Sequence, residues 1–252
     1  MPLARERPCI DLGRDAILLD VDGTLLDIAI RPEQVVVPED LKQNIAQLSE
    51  GNGGAVALIS GRRIADLDRI FAPLKLPAAG CHGAELRATS TGEVMPLAAP
   101  LPDPVKRAFA GLADGRDGVW TEDKTYTLAL HFRENPDVRD ELLAAAQALC
   151  ASSGGGPRVL PGRMIVEIRM PGFDKGTGLR ALMRHTPFKG RQPVFFGDDI
   201  TDEDALAALA EFGGLGIAVG RDLAGARLRM DGPEEVRRFL AALATGDAGA
   251  RA

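Results

Sequence analysis

The chain has 252 residues, 45% hydrophobic and 26% charged, with a formal net charge of −6 at pH 7. That composition suits one large or two modest globular domains with a real core, and a pI near 5.2 argues against nucleic acid or an anionic membrane as the main partner. No apolar run approaches the ~20 residues that span a bilayer, and the opening MPLARERPCIDLGRD lacks the apolar segment of a signal peptide. Three cysteines, Cys9, Cys81 and Cys150, are odd in number and lack metal-ligand or redox spacing. They read as reduced thiols of a cytoplasmic protein. The Ala/Gly-rich tail Thr245–Ala252 reads as a frayed end.

In chain order, the pattern predicts a buried strand at Ala16–Val21, a helix at Pro38–Glu50, a strand at Ala55–Ile59 and a helix at Arg62–Phe71. A hairpin follows, Ala84–Ala88 to Glu93–Leu97, turning near Ser90–Gly92, and the Pro-rich segment Pro96–Pro104 reads as a linker. Next come a helix (Val105–Leu112), a strand (Tyr126–Phe132), a helix (Val138–Cys150), the Gly-rich loop Ser152–Pro157 and a strand (Met164–Arg169). The last stretch alternates again: helix Lys175–His185, strand Val194–Phe196, helix Thr201–Phe212, strand Gly216–Val219 and helix Pro233–Thr245, with Thr201 and Asp204 as a capping box. Strand–helix alternation implies an α/β fold, a Rossmann-like doubly wound parallel sheet. Residues 1–100 and 172–252 form this core, and residues 101–171 an inserted small α+β domain.

In such a sheet ligands bind beyond the carboxyl ends of the strands. Four polar clusters are expected there: Asp20–Thr24, Ser60-Gly61-Arg62, Lys175 at a helix start, and Gly197–Asp202. Taken singly, each has a structural alternative: a polar strand exit, a plain turn, an acidic helix start favoured by the helix dipole. Lys175 at a helix start opposes that dipole, so a merely structural role suits it less. A calcium loop is rejected, because Gly23 sits too early and Arg31 stands where a bidentate Glu belongs. Together the clusters make an acid pair, a hydroxyl, a lysine and an acid cluster. Carboxylate oxygens suit Mg²⁺, with the lysine and hydroxyl left for phosphoryl oxygens.

The order Asp-x-Asp-Gly-Thr, Ser-Gly-Arg, Lys-Gly, Gly-Asp-Asp-x-Thr-Asp resembles the haloacid dehalogenase superfamily of phosphohydrolases, and the inserted domain resembles its C2-type cap. GCHGAELR (Gly80–Arg87), Lys124 with LALHFR (Leu128–Arg133), VEIRMPGFDKG (Val166–Gly176) and FFGDDITDEDAL (Phe195–Leu206) resemble the trehalose-6-phosphate phosphatase family, over about Ala16 to Val219. One departure is Leu206, where that family often has Phe.

The resemblance implies Asp20 as nucleophile, forming an aspartyl-phosphate, and Asp22 as general acid–base. It implies Mg²⁺ on an Asp20 carboxylate oxygen, the backbone carbonyl of Asp22 and Asp198, with Asp199 or Asp202 in support, and Ser60 and Lys175 on the phosphoryl group. The cap is expected to close over the site and read the sugar. Its candidates are Glu122, Lys124, Arg133 and Glu167, of which the resemblance favours Lys124 and Glu167; cross-strand ion pairing is their alternative. Arg62, His82 and Glu85 complete the substrate-binding set from the core. Trp120 reads as cap packing, and His131 is as consistent with the cap interface as with the sugar site. The implied activity is Mg²⁺-dependent hydrolysis of trehalose 6-phosphate. Other sugar phosphates (sucrose or mannosylglycerate type), a phosphosugar mutase and a non-catalytic sugar-phosphate sensor are the rivals. The implied partner is a small-molecule sugar phosphate, with no nucleic acid and no membrane.

Overall fold

Strand β1 (Asp15–Leu19) is buried along its whole length, which explains why Ala16–Leu19 form a continuous apolar run and not an alternation. In this computed structural model, which describes residues 3–4, 8–28, 34–152, 156–162 and 164–246, β1 lies mid-sheet. The other strands of that sheet are β2 (Val56–Ile59), β3 (Ala78–Gly80), β4 (Glu85–Arg87), β5 (Met95–Pro96), β10 (Gln192–Gly197), β11 (Leu215–Val219) and β12 (Leu228–Met230). Their order is β12-β11-β10-β1-β2-β3-β4-β5. From β12 to β3 all neighbours run parallel, and β4 and β5 close one edge antiparallel.

Helices cover both faces. On one, Ile17, Leu19, Val56, Leu58, Val194 and Phe196 pack with α1 (Glu39–Gly51), α2 (Ile64–Phe71) and α7 (Pro233–Thr245). Leu41, Ile45 and Leu48 of α1 repeat at helical spacing on its buried stripe. On the other face, Ala16, Leu18, Ala57, Ile59 and Phe195 pack with α5 (Lys175–Met183) and α6 (Glu203–Ala208). The chain winds outward from β1 through β2 to β3 and, on the other side, from β10 through β11 to β12. The reversal between β1 and β10 is the topological switch point, where such sheets bind ligands.

Two compact units result: residues 1–97 with 174–252, and residues 98–173. The second has a four-stranded antiparallel sheet, β6 (Trp120–Asp123), β7 (Thr127–His131), β9 (Ile165–Arg169) and β8 (Arg158–Pro161) in that order, with helices α3 (Asp103–Ala110) and α4 (Arg139–Ser152). Leu128, Leu130, Val166 and Ile168 face those helices and bury with Phe109, Phe132 and Leu142.

Several expectations need correction. The capping box belongs to Asp199 and Asp202, not Thr201 and Asp204, because the chain first makes a 3₁₀ turn, Ile200–Asp202. The helix expected over Thr201–Phe212 is therefore that turn, the short α6 and a second 3₁₀ turn, Leu209–Phe212. Strands β3, β6, β8 and β12 went unread, being only three or four residues long. Among the described residues all three cysteines are free, and no helix is long and apolar enough to cross a membrane. Residues 153–155 of the Gly-rich loop, Arg31 and the tail beyond residue 246 lie outside the described residues.

Phe132 is fully buried in the smaller unit. Phe132→Ala should cost about 3–5 kcal/mol through lost contacts and the cavity left behind, read as a lowered urea midpoint with an unchanged denaturant slope.

Candidate active site

The chain leaves β1 into a tight loop. Gly23 N–H donates to the Leu26 carbonyl (2.7 Å), and Leu25 and Leu26 N–H both return to the Val21 carbonyl. Gly23 has φ +91°, and a Cβ there would lie 2.1 Å from Asp198 Oδ2. Only glycine lets the backbone approach that carboxylate so closely. Asp20 and Asp198 follow β1 and β10, the two strands at the switch point. Lys175 opens α5, whose N-cap Asp174 accepts from Thr177 N–H at 2.6 Å.

These elements bring four charged side chains together. Lys175 Nζ donates to Asp20 Oδ1 (2.7 Å) and to Asp202 Oδ1 (2.6 Å), and all three side chains are almost fully buried. Asp202 Oδ2 accepts the backbone N–H of Asp198 and of Asp199, both at 3.0 Å. Asp202 therefore ties the lysine to the loop that carries Asp198. Thr24 Oγ1 donates to Asp198 Oδ1 at 3.2 Å. One carboxylate oxygen from each of Asp20, Asp198 and Asp202 lies within 4.8 Å of the others.

Three carboxylates against one ammonium form an unbalanced set. Burial raises the Asp20 carboxyl well above its usual range; Lys175 opposes this, while Asp202 and Asp198 add to it. Burial and the Asp202 charge push Asp198 up to about 6. Lys175 goes upward too, because the attraction of Asp20 and Asp202 overcomes its own burial. The donor set, hard oxygens only and under-neutralised, fits a divalent cation of the Mg²⁺ kind, which takes one or two carboxylates and keeps other positions for water or phosphate.

The remaining expected residues fall into distinct places. Asp22 does not join the three-carboxylate cluster through its side chain. Its two oxygens accept from Arg62 at 2.6 and 2.7 Å, and about a third of the side chain is exposed. Ser60, buried at the end of β2, accepts the Arg62 N–H at 3.2 Å. His82 is buried with φ +54° and packs on Gly61, where a Cβ would come within 2.6 Å of its Nε2. Glu85 takes the Ile64 N–H (2.8 Å) at the start of α2. Asp199 caps the 3₁₀ turn and sits 3.9 Å from Arg221.

In the smaller unit Lys124 Nζ lies 3.3 Å from Glu167 Oε1 and 3.8 Å from Glu122 Oε2, with Lys124 and Glu167 buried. Arg133 lies past β7 and makes no hydrogen bond or ion pair among the described residues. Sequence reasoning missed Asp174, although Asp three residues before Thr177 is an N-cap signature.

A mostly parallel α/β sheet of this order with helices on both faces is the fold of the haloacid dehalogenase phosphatases. The trehalose-phosphatase family model matches residues 18–227, and the chain belongs to that family. It is 36% identical over 234 residues to trehalose-6-phosphate phosphatase of Escherichia coli (91% of this chain, 86% of that protein). It is also 36% identical to a probable trehalose-phosphate phosphatase of Sinorhizobium fredii (93% of this chain, 89% of that protein). The C-terminal domain of Candida albicans trehalose-6-phosphate phosphatase shares the fold, with a TM-score of 0.82 at 22% identity, covering 96% of this chain and 99% of that one.

The acid cluster sets a pH signature. Asp198, raised from 3.8 to about 6, stabilises the fold fully below pH 3.8, and that contribution is lost as pH rises through 6. In chelator, wild type should lose stability relative to Asp198→Asn between those values, measured by urea midpoints. Saturating Mg²⁺ should reverse the trend, because a cation needs the ionised carboxylate. Parallel curves in chelator would mean that the Asp198 carboxyl is not raised in the fold.

Proposed function

We propose that the protein hydrolyses trehalose 6-phosphate to trehalose and phosphate. The observation that carries this reading is the meeting of Asp20, Lys175, Asp198 and Asp202 at the switch point of a chain belonging to the trehalose-phosphatase family. Asp20 is the nucleophile. Its carboxylate oxygen bonds to phosphorus as the bond to the sugar oxygen breaks, giving an aspartyl-phosphate. Asp22 gives a proton to the departing sugar oxygen, then takes one from the water that frees phosphate and regenerates Asp20. Both Asp22 oxygens are engaged by Arg62, so this work requires the guanidinium to yield at least one of them. Arg62 is then free to meet the substrate's phosphoryl oxygens, which a planar guanidinium suits.

Lys175 and Ser60 hold the transferring group. Asp20, Asp198 and the Asp22 carbonyl are the residues to hold Mg²⁺, which supplies neutralising charge to the phosphoryl oxygens when bound. Asp202 spends both oxygens on Lys175 and two backbone N–H groups, so its part is support. In the smaller unit, Lys124, Glu167 and Glu122 recognise the sugar by multiple charged hydrogen bonds.

Phosphate release measured on a panel of sugar phosphates tests the substrate, and trehalose 6-phosphate should exceed glucose 6-phosphate and sucrose 6-phosphate in kcat/KM. Asp20→Asn should abolish turnover on all of them with the fold intact, and chelator should silence the wild type until Mg²⁺ is restored. Lys124→Ala or Glu167→Ala should lower kcat/KM on trehalose 6-phosphate by roughly tenfold to a hundredfold, the cost of a charge-assisted hydrogen bond, and change p-nitrophenyl phosphate hydrolysis by about two- to threefold at most. Preference for another ester would overturn the substrate, and wild-type-like turnover by Asp20→Asn would overturn the nucleophile.

A further inference from the structure

Two residues beside the sugar candidates do more than fill space. Strands β6 and β7 pair Trp120 with His131 and Glu122 with Ala129, and β7 with β9 pairs Ala129 with Glu167. Glu122 and His131 are thus diagonal neighbours on one sheet face, close enough for long side chains to meet. The Trp120 and His131 rings stack almost parallel, 8° apart with centroids at 3.9 Å. The imidazole Nε2 lies 2.8 Å from Glu122 Oε2. The nearest Lys124 contact falls on the same oxygen, at 3.8 Å. Glu122 Oε1 makes no hydrogen bond among the described residues.

Burial works against the Glu122 charge, yet the His131 hydrogen bond and Lys124 hold its carboxyl below the usual range. An ionised carboxylate only accepts, so His131 donates from Nε2. The indole holds the imidazole flat and fixes the direction of that donor. With Oε2 spoken for, the carboxylate cannot spin, and its other oxygen keeps one orientation.

We propose that His131, clamped by Trp120, is a positioning residue that orients Glu122 so that Oε1 accepts a hydroxyl of the substrate sugar. The inference rests on the reading that Glu122 and Lys124 recognise the sugar. A plain cross-strand ion pair is the competing account; it would support the fold and leave substrate discrimination untouched. Ala129, between Glu122 and Glu167 in the register, has no side chain long enough to compete for either carboxylate.

The test compares steady-state kinetics on trehalose 6-phosphate and p-nitrophenyl phosphate for wild type, His131→Phe, His131→Gln, Trp120→Leu and Lys124→Ala, with thermal melts of each. His131→Phe keeps a ring for the stack and loses the donor. It should lower kcat/KM on the sugar ester by roughly tenfold, chiefly through KM, with p-nitrophenyl phosphate hydrolysis within about twofold of wild type. His131→Gln restores an amide donor and should recover most of the loss, with Trp120→Leu in between.

Unchanged kinetics of His131→Phe on the sugar ester, with Lys124→Ala impaired, would overturn this inference and leave the sugar reading standing. Unchanged sugar-ester kinetics in Lys124→Ala would overturn the sugar reading and the inference with it. Equal losses on both esters from His131→Phe would assign the pair to structure alone. If His131→Phe does not melt cooperatively, His131→Gln and Trp120→Leu decide, and equal losses on both esters in Trp120→Leu overturn the proposal.

Discussion

The buried ammonium of Lys175 is the interaction on which the rest of the site depends. It reaches Asp20 at 2.7 Å and Asp202 at 2.6 Å with almost no exposure to solvent. Taking carboxylates out of water costs several kcal/mol each unless a partner meets them. One cation faces three acids, and burial, with repulsion among the carboxylates added to it, raises Asp20 and Asp198. Carboxylate oxygens gathered in this way are the donor set that suits a hard divalent cation.

Backbone geometry makes this crowding possible. The left-handed Gly23 admits Asp198 where any Cβ would collide, and the Asp199–Asp202 capping box folds the acidic loop back on itself. Asp202 serves two elements at once, its one oxygen on Lys175 and its other on the loop's N–H groups. Moving it therefore disturbs the lysine and the Asp198 loop together. The sheet supplies the third constraint, because β1 and β10 are direct neighbours in fixed register, Leu19 opposite Phe196. Residues 155 positions apart in sequence thus meet through an ordinary parallel pairing and a helix start.

Much of the sheet, with its polar strand exits, was legible in the sequence. Apolar runs ending in Asp20, Ser60 and Asp198 marked buried parallel strands with their polar exits, since strands covered on both faces need no alternation. Lys175 stood out because a cation at a helix start works against the dipole. Less visible were features that depend on three-dimensional pairing. The Asp22–Arg62 bridge joins residues from different loops, and Glu85 meets the start of α2 only because β4 runs antiparallel to β3. Trp120 and His131 lie eleven positions apart, and only the β6–β7 register stacks them. The cap of the acidic helix was misplaced because a 3₁₀ turn has the same composition as a first α-turn. Strands of three or four residues carry little periodicity, and β3, β6, β8 and β12 had no turn signal strong enough to mark them.

Asp20 as a nucleophile is the central claim, and the stereochemical course at phosphorus tests it most directly. Trehalose 6-thiophosphate made chiral with oxygen isotopes would be hydrolysed in isotopic water and the configuration of the released thiophosphate determined. Attack by Asp20 followed by attack of water gives two in-line displacements, and so net retention. Net inversion would mean that water reaches the substrate phosphorus directly, and Asp20 would then be no more than a ligand and a charge.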